Sequence, residues 1–402
     1  MTLDIARVRD SYPALAEGFA HLDGAAGTQV AAPVIDAIAG TMRRAVSNRG
    51  TAFEAARRSG EIVAAARQAV ADLVGGTAEG VVFGPSATGL TYTVARTLAK
   101  TWRSGDEVVV SRLDHDANVR PWVQAAQSAG VTVRWAEFDP STGELPAAQY
   151  TDLIGPRTRL VAITAASNAI GTIPPVREIA DLAHAAGSLL YVDGVHATPH
   201  LPIDVAALGA DFYVTSAYKW SGPHIAAVVA DPATWARLSP SKLMPSPDSV
   251  PDRFEFGTLS FELLAGVTAA VDHLADLDES AAGDRRTRLL AGMTLAAAYE
   301  KALLERLVKG LDAVVCPAPA DRCPTVSFRI AGQSPAETAT ALGDEGICVF
   351  SGDYYAYEYF TATGLRDTGG AVRASIYHYN TAEEVDRLLE AVTRLGSRPP
   401  RS

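Results

Sequence analysis

Between residues 81 and 229 the chain repeats one pattern: a short apolar run rich in β-branched residues, then usually a longer alanine-rich amphipathic stretch. The runs are Val81–Phe83, Glu107–Ser111, Thr132–Ala136, Arg159–Thr164, Ser188–Val192, Phe212–Ser216 and Ala226–Val229. The helical patterns between them include Gly89–Lys100, Pro121–Gly130, Pro175–Ala186 and Val205–Leu208, and Ser59–Leu73 precedes the first run. Nearly unbroken apolar strands that alternate with helices predict an α/β fold with a mostly parallel, seven-stranded sheet covered on both faces. Ligands of such sheets collect beyond the carboxyl ends of the strands. Residues that carry chemistry are therefore expected just after strands.

From about Leu263 the pattern changes. A long helical region, Leu263 to Leu311, carries the charged patch ESAAGDRRTR. Strand-like Thr325–Ile330, helix-like Pro335–Glu345, strand-like Cys348–Phe350 and Val372–Ser375, and helix-like Ala382–Leu395 follow. This predicts a smaller α+β unit. The expected division is a large domain over residues 20–262 and a small domain made of residues 1–19 with 263–402. Ser397–Ser402 reads as a frayed tail.

Composition excludes several classes. The 402 residues are 48% hydrophobic and 20% charged, which is ordinary for a globular chain. The net charge of −11 disfavours a nucleic-acid partner, which needs a basic face. Three cysteines, Cys316, Cys323 and Cys348, form no CxxC spacing and leave no even disulfide set. They argue against a disulfide framework and a structural zinc site, and for a reducing cytoplasm. The N-terminal MTLDIARVRDSYPAL has acidic residues and no apolar core, so no signal peptide is expected. No apolar stretch reaches about 18 residues, so no membrane span is expected.

Two strand ends stand out. Ser188–Val192 leads into Asp193, and Phe212–Ser216 leads into Ser-Ala-Tyr-Lys, with Lys219 at its end. Alone, Asp193 reads equally as a turn or helix-cap residue, and Lys219 as a solvated loop lysine. Together, an amine near an acid after parallel strands suits Schiff-base chemistry on a carbonyl cofactor. Pyridoxal 5'-phosphate (PLP) needs such a lysine, an acid opposite its pyridine nitrogen, a phosphate cradle and a stacking ring. Ser86-Ala87-Thr88-Gly89, between a strand and a helix start, can offer backbone N–H groups to an anion. His115, after strand Glu107–Ser111, is a candidate ring.

These motifs carry a resemblance. The chain is similar, over nearly its whole length, to the class V aminotransferase and cysteine desulfurase family of fold-type I PLP-dependent enzymes. The family's opening Tyr-Leu-Asp-Asn-Ala-Ala is similar to His21–Ala26, and the resemblance places Ala25 at the substrate. It implies that Ala87, Thr88 and Ser216 hold the phosphate and that His115, in Asp114–Asn118, stacks on the cofactor and shares in catalysis. Asn168, in Ser167–Gly171, and His196, in Val192–His196, would bond the cofactor's ring oxygen, with His196 replacing a frequent glutamine. Asp193 would face the pyridine nitrogen and Lys219 would carry the cofactor, with Tyr218 in place of a histidine. Thr258, in Arg253–Thr258, would reach the phosphate of a neighbouring subunit, which implies a homodimer with active sites at the interface. Arg373, in Val-Arg-Ala-Ser, would grip the substrate carboxylate as a bidentate fork.

The pattern departs from that family in one loop. Where desulfurases have Arg-Thr-Gly-His-His-Cys, this chain has Phe350-Ser-Gly-Asp-Tyr-Tyr, so Tyr355 stands at the position of the persulfide-forming cysteine. Nearby Cys348 reads as a small core residue. The aromatic stretch Asp353–Phe360 is either packing between domains or a wall over the substrate, with Tyr355 able to donate a proton to a leaving group. His378 and Tyr379 are candidates for the same pocket. The expected function is β-elimination, C–S cleavage of cysteine or an S-substituted cysteine without a persulfide, with Lys219 and Tyr355 sharing the acid–base work. Decarboxylation, transamination or epimerisation of an amino acid is the alternative. A scaffold without chemistry is disfavoured by Lys219, Asp193, His115 and Arg373 occurring together.

Overall fold

The computed structural model describes residues 2–397. Most of the expected tail, 398–402, lies outside the described residues. All seven expected strands form one sheet: β1 Val81–Gly84, β2 Glu107–Ser111, β3 Thr132–Ala136, β4 Thr158–Thr164, β5 Leu189–Asp193, β6 Phe212–Ser216 and β7 Ala226–Val229. Their spatial order is β1-β7-β6-β5-β4-β2-β3. β7 runs antiparallel to β1 and β6, and the remaining neighbours are parallel.

Alternation within the strands builds two cores. Val108, Val110, Leu160, Ala162 and Tyr191 face one layer of helices. Val109, Val161, Ile163, Leu190 and Val192 face the other. Successive strand side chains point to opposite faces, so a sheet buried on both sides must be apolar at every position. The helices are bounded by local chemistry. Ser86 caps Ala87–Ala99, its Oγ accepting from the Gly89 N–H at 3.1 Å. Pro121 sits in the first turn of Arg120–Ala129, and Gly130 ends that helix at φ 67°.

The smaller sheet contains β8 Val314–Val315, β9 Thr325–Arg329, β10 Phe350–Gly352 and β11 Ala371–Ser375, antiparallel in the order β10-β11-β9-β8. The expected strand Cys348–Phe350 splits in two. Ile347–Cys348 pairs in parallel with Ala20–His21, and only from Phe350 does the chain join β11. The expected long helical region also splits, into Phe261–Ala275 and Arg285–Gly310. Asp284 starts the second helix by accepting the Thr287 N–H at 2.8 Å.

Core membership divides the second of these helices. Leu289, Met293 and Ala296 pack with the large sheet, as do Leu264, Val267 and Val271 of the preceding helix and Val8 and Tyr12 near the N-terminus. Leu303, Leu304 and Leu307 pack with the small sheet. The helix Arg285–Gly310 thus contributes side chains to both cores. Among the described residues, no helix is long and apolar enough to cross a membrane.

Candidate active site

Five strand ends of the large sheet and two strands of the small one meet at a single cavity. β1 leads to Ser86–Gly89, β2 to His115, β4 to Asn168 and β6 to Lys219, and β5 ends at Asp193 itself. β10 leads to Tyr355, and Arg373 lies within β11.

Asp193 is buried, and its Oδ1 accepts the Val195 N–H at 2.9 Å. Burial pushes its carboxyl up to about 6, against the pull of that N–H and of Lys219. The residue after it must be small: a Cβ on Gly194 would lie 1.9 Å from the Tyr213 ring. Lys219 is also buried, and its Nζ donates to the carbonyl of Ala25. Burial lowers the amine to about 7, helped by the Arg373 charge and opposed by Asp193 and Asp23. Ala25 is held from its other side, its N–H donating to Ser375 Oγ at 2.6 Å.

His115 Nδ1 accepts the Ala117 N–H at 3.0 Å, which assigns a hydrogen-free Nδ1. Burial and the charges of Lys219 and Arg373 hold the ring down to about 3, so it is neutral at pH 7. The Tyr355 ring lies near-parallel to it, centroids 5.5 Å apart and planes at 28°. Asn168 Nδ2 donates to the Tyr354 carbonyl at 2.9 Å, and the Asn168 carbonyl accepts from Arg373 Nη1 at 2.8 Å. His196 Nε2 lies 3.0 Å from Thr325 Oγ1.

The cavity has two parts. An inner part of about 100 Å³ is lined by Ala87, Thr88, His115, Asn168, Asp193, His196, Ser216 and Lys219. An outer part of about 890 Å³ shares Ala25, Thr88, His115 and Lys219 and adds Arg373, Phe350, Tyr354 and Tyr355. Asn168 Oδ1, His196 Nδ1 and Arg373 Nε are buried polar atoms without a hydrogen-bond partner. Buried polar groups are normally paired, so three such atoms around one cavity mark a place for a polar ligand.

Thr258 is not brought to this cavity within one chain. It lines a separate one of about 540 Å³ with Arg49 and Asp252. His378 and Tyr379 are likewise absent from the Lys219 cavity, which corrects the expectation that they line it. They lie beyond the end of β11 and turn into the core: both are fully buried, and His378 Nε2 lies 3.1 Å from Tyr12 OH. The aromatic stretch divides between the core and the cavity. Tyr359 is buried against Phe138 at 4.8 Å, while Tyr354 and Tyr355 line the cavity. Cys316 and Cys323 are buried, Cys348 is partly so, and none of the three lines the cavity. Sequence reading missed Asp116, Arg120 and Tyr92, which also line the outer part. Asp116 had a signal, an acidic residue directly after His115 in the motif.

Comparison with known proteins agrees with this geometry. The family model for aminotransferase class V matches residues 20–388. The chain belongs to the class V aminotransferase family. Enzymes of this family are PLP-dependent. An uncharacterised protein of Mycobacterium tuberculosis is 37% identical over 98% of this chain and 100% of its own length. A cysteine desulfurase of Klebsiella pneumoniae is 31% identical over 98% of this chain and 99% of its own. The crystal structure of a cysteine desulfurase from Escherichia coli superposes with a TM-score of 0.85 at 26% identity, over 98% of both chains. The class V aminotransferase enzyme described here therefore shares the desulfurase fold throughout.

Proposed function

We propose that this family member binds PLP in the inner part of the cavity and cleaves the C–S bond of cysteine or an S-substituted cysteine by β-elimination. The observation that carries the reading is the neighbour of His115: the ring of Tyr355 lies against it, and Tyr355 stands where the motif resemblance would put the desulfurase cysteine. A hydroxyl can give a proton to a leaving thiolate but cannot take up sulfur as a persulfide.

The residues present fit the cofactor. The unpaired Asn168 Oδ1 and His196 Nδ1 would bond its polar edge, Asp193 its pyridine nitrogen and Lys219 its aldehyde carbon. Ala87, Thr88 and Ser216 would hold the phosphate at the start of helix Ala87–Ala99, where backbone N–H groups and the helix dipole favour an anion. Bound there, PLP supplies an electron sink for the carbanion that forms when the substrate's α-proton leaves. The protein does the rest. Arg373, whose Nε is unpaired, holds the substrate α-carboxylate beside Ala25. Neutral Lys219 removes the α-proton, and Tyr355 OH protonates the departing sulfur. The sum is R–S–CH2–CH(NH3+)–COO− plus water giving R–SH, pyruvate and ammonium. Thr258, remote from the site of its own chain, would serve a neighbouring subunit's phosphate in a homodimer.

Pyruvate release by the holoenzyme from S-alkyl cysteines tests this reading. Tyr355→Phe is expected to lower kcat about 100-fold, within the range of a lost general acid. Carbon dioxide in place of pyruvate would point to decarboxylation instead, and no product from any cysteine derivative sinks the proposal.

A further inference from the structure

The outer part of the cavity is far larger than the β-substituent of cysteine, at about 890 Å³, a volume suited to a drug-sized ligand. Its wall is aromatic and open. Phe350 is 49% exposed and Tyr355 73% exposed, and Tyr92 and Pro121 also line the cavity. Apolar surface left accessible inside a concavity marks a binding site.

The wall is also held still. Tyr354 and Tyr355 sit at φ 48° and 60°, left-handed conformations that non-glycine residues adopt only when their surroundings impose them. The constraint is visible. The Asp116 N–H donates to the Tyr355 carbonyl at 2.7 Å, and the Asp116 carboxylate accepts from Arg120 Nη2 at 2.7 Å. Arg120 Nη2 also donates to Glu358 at 2.7 Å, and Arg112 Nη1 donates to the same carboxylate at 2.8 Å. Glu358 is buried, three residues after Tyr355. An ion-pair clamp thus joins the segment that carries His115 to the segment that carries Tyr355.

The clamp decides the charge of what can bind. Arg120 is matched by Asp116 and Glu358, so it is not free for a second carboxylate. Asp353 is likewise paired with Arg366 at 3.5 Å. The other cations that line the outer part, Lys219 and Arg373, are the ones assigned above to the cofactor and the α-carboxylate.

We propose that the outer cavity is a preformed subsite for a flat, uncharged aromatic group carried on the substrate's sulfur, with Phe350 and Tyr355 as its wall and Glu358 as the residue that positions it. The proposal rests on the cavity assigned above to an S-substituted cysteine. A fixed wall loses little freedom on binding, so contact with a planar group is expressed as affinity.

Calorimetric titration of the holoenzyme with the α-methyl analogues of S-benzyl-, S-cyclohexylmethyl- and S-methylcysteine, which have no α-proton to lose, tests it without turnover, and pyruvate is assayed separately from the parent compounds. The S-benzyl analogue is expected to bind about tenfold tighter than the S-methyl analogue and tighter than the puckered cyclohexyl compound, the ratio that one well-made aromatic contact gives. Phe350→Ala removes an exposed side chain and should shrink the benzyl preference while leaving the S-methyl Kd unchanged. Glu358→Gln should shrink it too. Equal Kd values for benzyl and methyl, equal values for benzyl and cyclohexylmethyl, or a preference that survives Phe350→Ala would each overturn the subsite. Selective binding without pyruvate would leave the subsite standing and reject the elimination chemistry alone.

Discussion

The two ends of the cavity are built differently. The inner end is walled in large part by buried side chains, Asn168, Asp193, His196, Ser216 and Lys219, set at or after the ends of sheet strands that fix their spacing. The outer end is walled by half-exposed rings on a loop of the small domain, tied by ion pairs to a loop of the large one. Sheet hydrogen bonds set the first, and side-chain ion pairs add to backbone contacts in holding the second. Reaction type should therefore be a property of the inner end, and choice of substrate a property of the outer end. Each prediction below asks whether those properties separate.

The largest effect is expected from Lys219→Ala. In the proposed function it removes both the attachment point for PLP and the base for the α-proton, so turnover should fall by about 10⁴-fold or more. The absorbance of the bound cofactor should change with it. Turnover within tenfold of the parent would show that the inner end does not perform the chemistry.

Arg373→Ala should come next, and it probes the boundary between the two ends. The guanidinium is buried, and burial lowers it to about 10, still charged at pH 7. Losing one partner of a buried carboxylate pair costs ~2–5 kcal/mol, so kcat/KM should fall by at least about 30-fold. The loss should sit mainly in KM, because the carboxylate is held equally before and during the reaction. A fall in kcat with unchanged KM would mean that Arg373 acts on the reacting atoms instead.

The contrast between the ends also explains what could be read from the sequence. The inner end was legible because His115, Asp193 and Lys219 stand at or after the ends of apolar runs, while the individual roles of Ala87, Thr88, Asn168, His196 and Ser216 came only from the motifs of the resemblance. Four of the seven expected strands, Glu107–Ser111 among them, have the same bounds in the structure. Asp193 and Lys219 then follow from position. At the outer end Ala25, Tyr355 and Arg373 were legible through the motifs, but the clamp was not, because it is not local: Arg120 and Glu358 are separated by 238 residues, and no period in the sequence pairs them. His378 and Tyr379 were misread for a related reason. They follow Arg373 closely, but the chain leaves β11 at Ser375 and then turns inward, and apolarity alone does not show the direction of a turn. The strand split at Cys348 arose likewise, since Ile347–Cys348 finds its partner in Ala20–His21, more than 300 residues away.

The smallest effect concerns the amine itself. Attachment of PLP requires neutral Lys219, and the buried amine titrates at about 7 rather than near the free lysine value of ~10.4. A lowered value means that the neutral form is scarce below pH 7 and dominant above it. Uptake of PLP by cofactor-free protein should thus speed up about tenfold from pH 6 to pH 8 and then level off. A lysine of ordinary basicity would instead gain about 100-fold over that range and keep rising. Because the Arg373 charge helps to depress the amine, Arg373→Ala should move the midpoint upward. Stopped-flow absorbance between pH 5.5 and 9 reads both. A rate that climbs without a plateau would show that burial at the inner end leaves the amine's basicity unchanged, and a midpoint unmoved by Arg373→Ala would show that the two cations do not feel each other across the boundary.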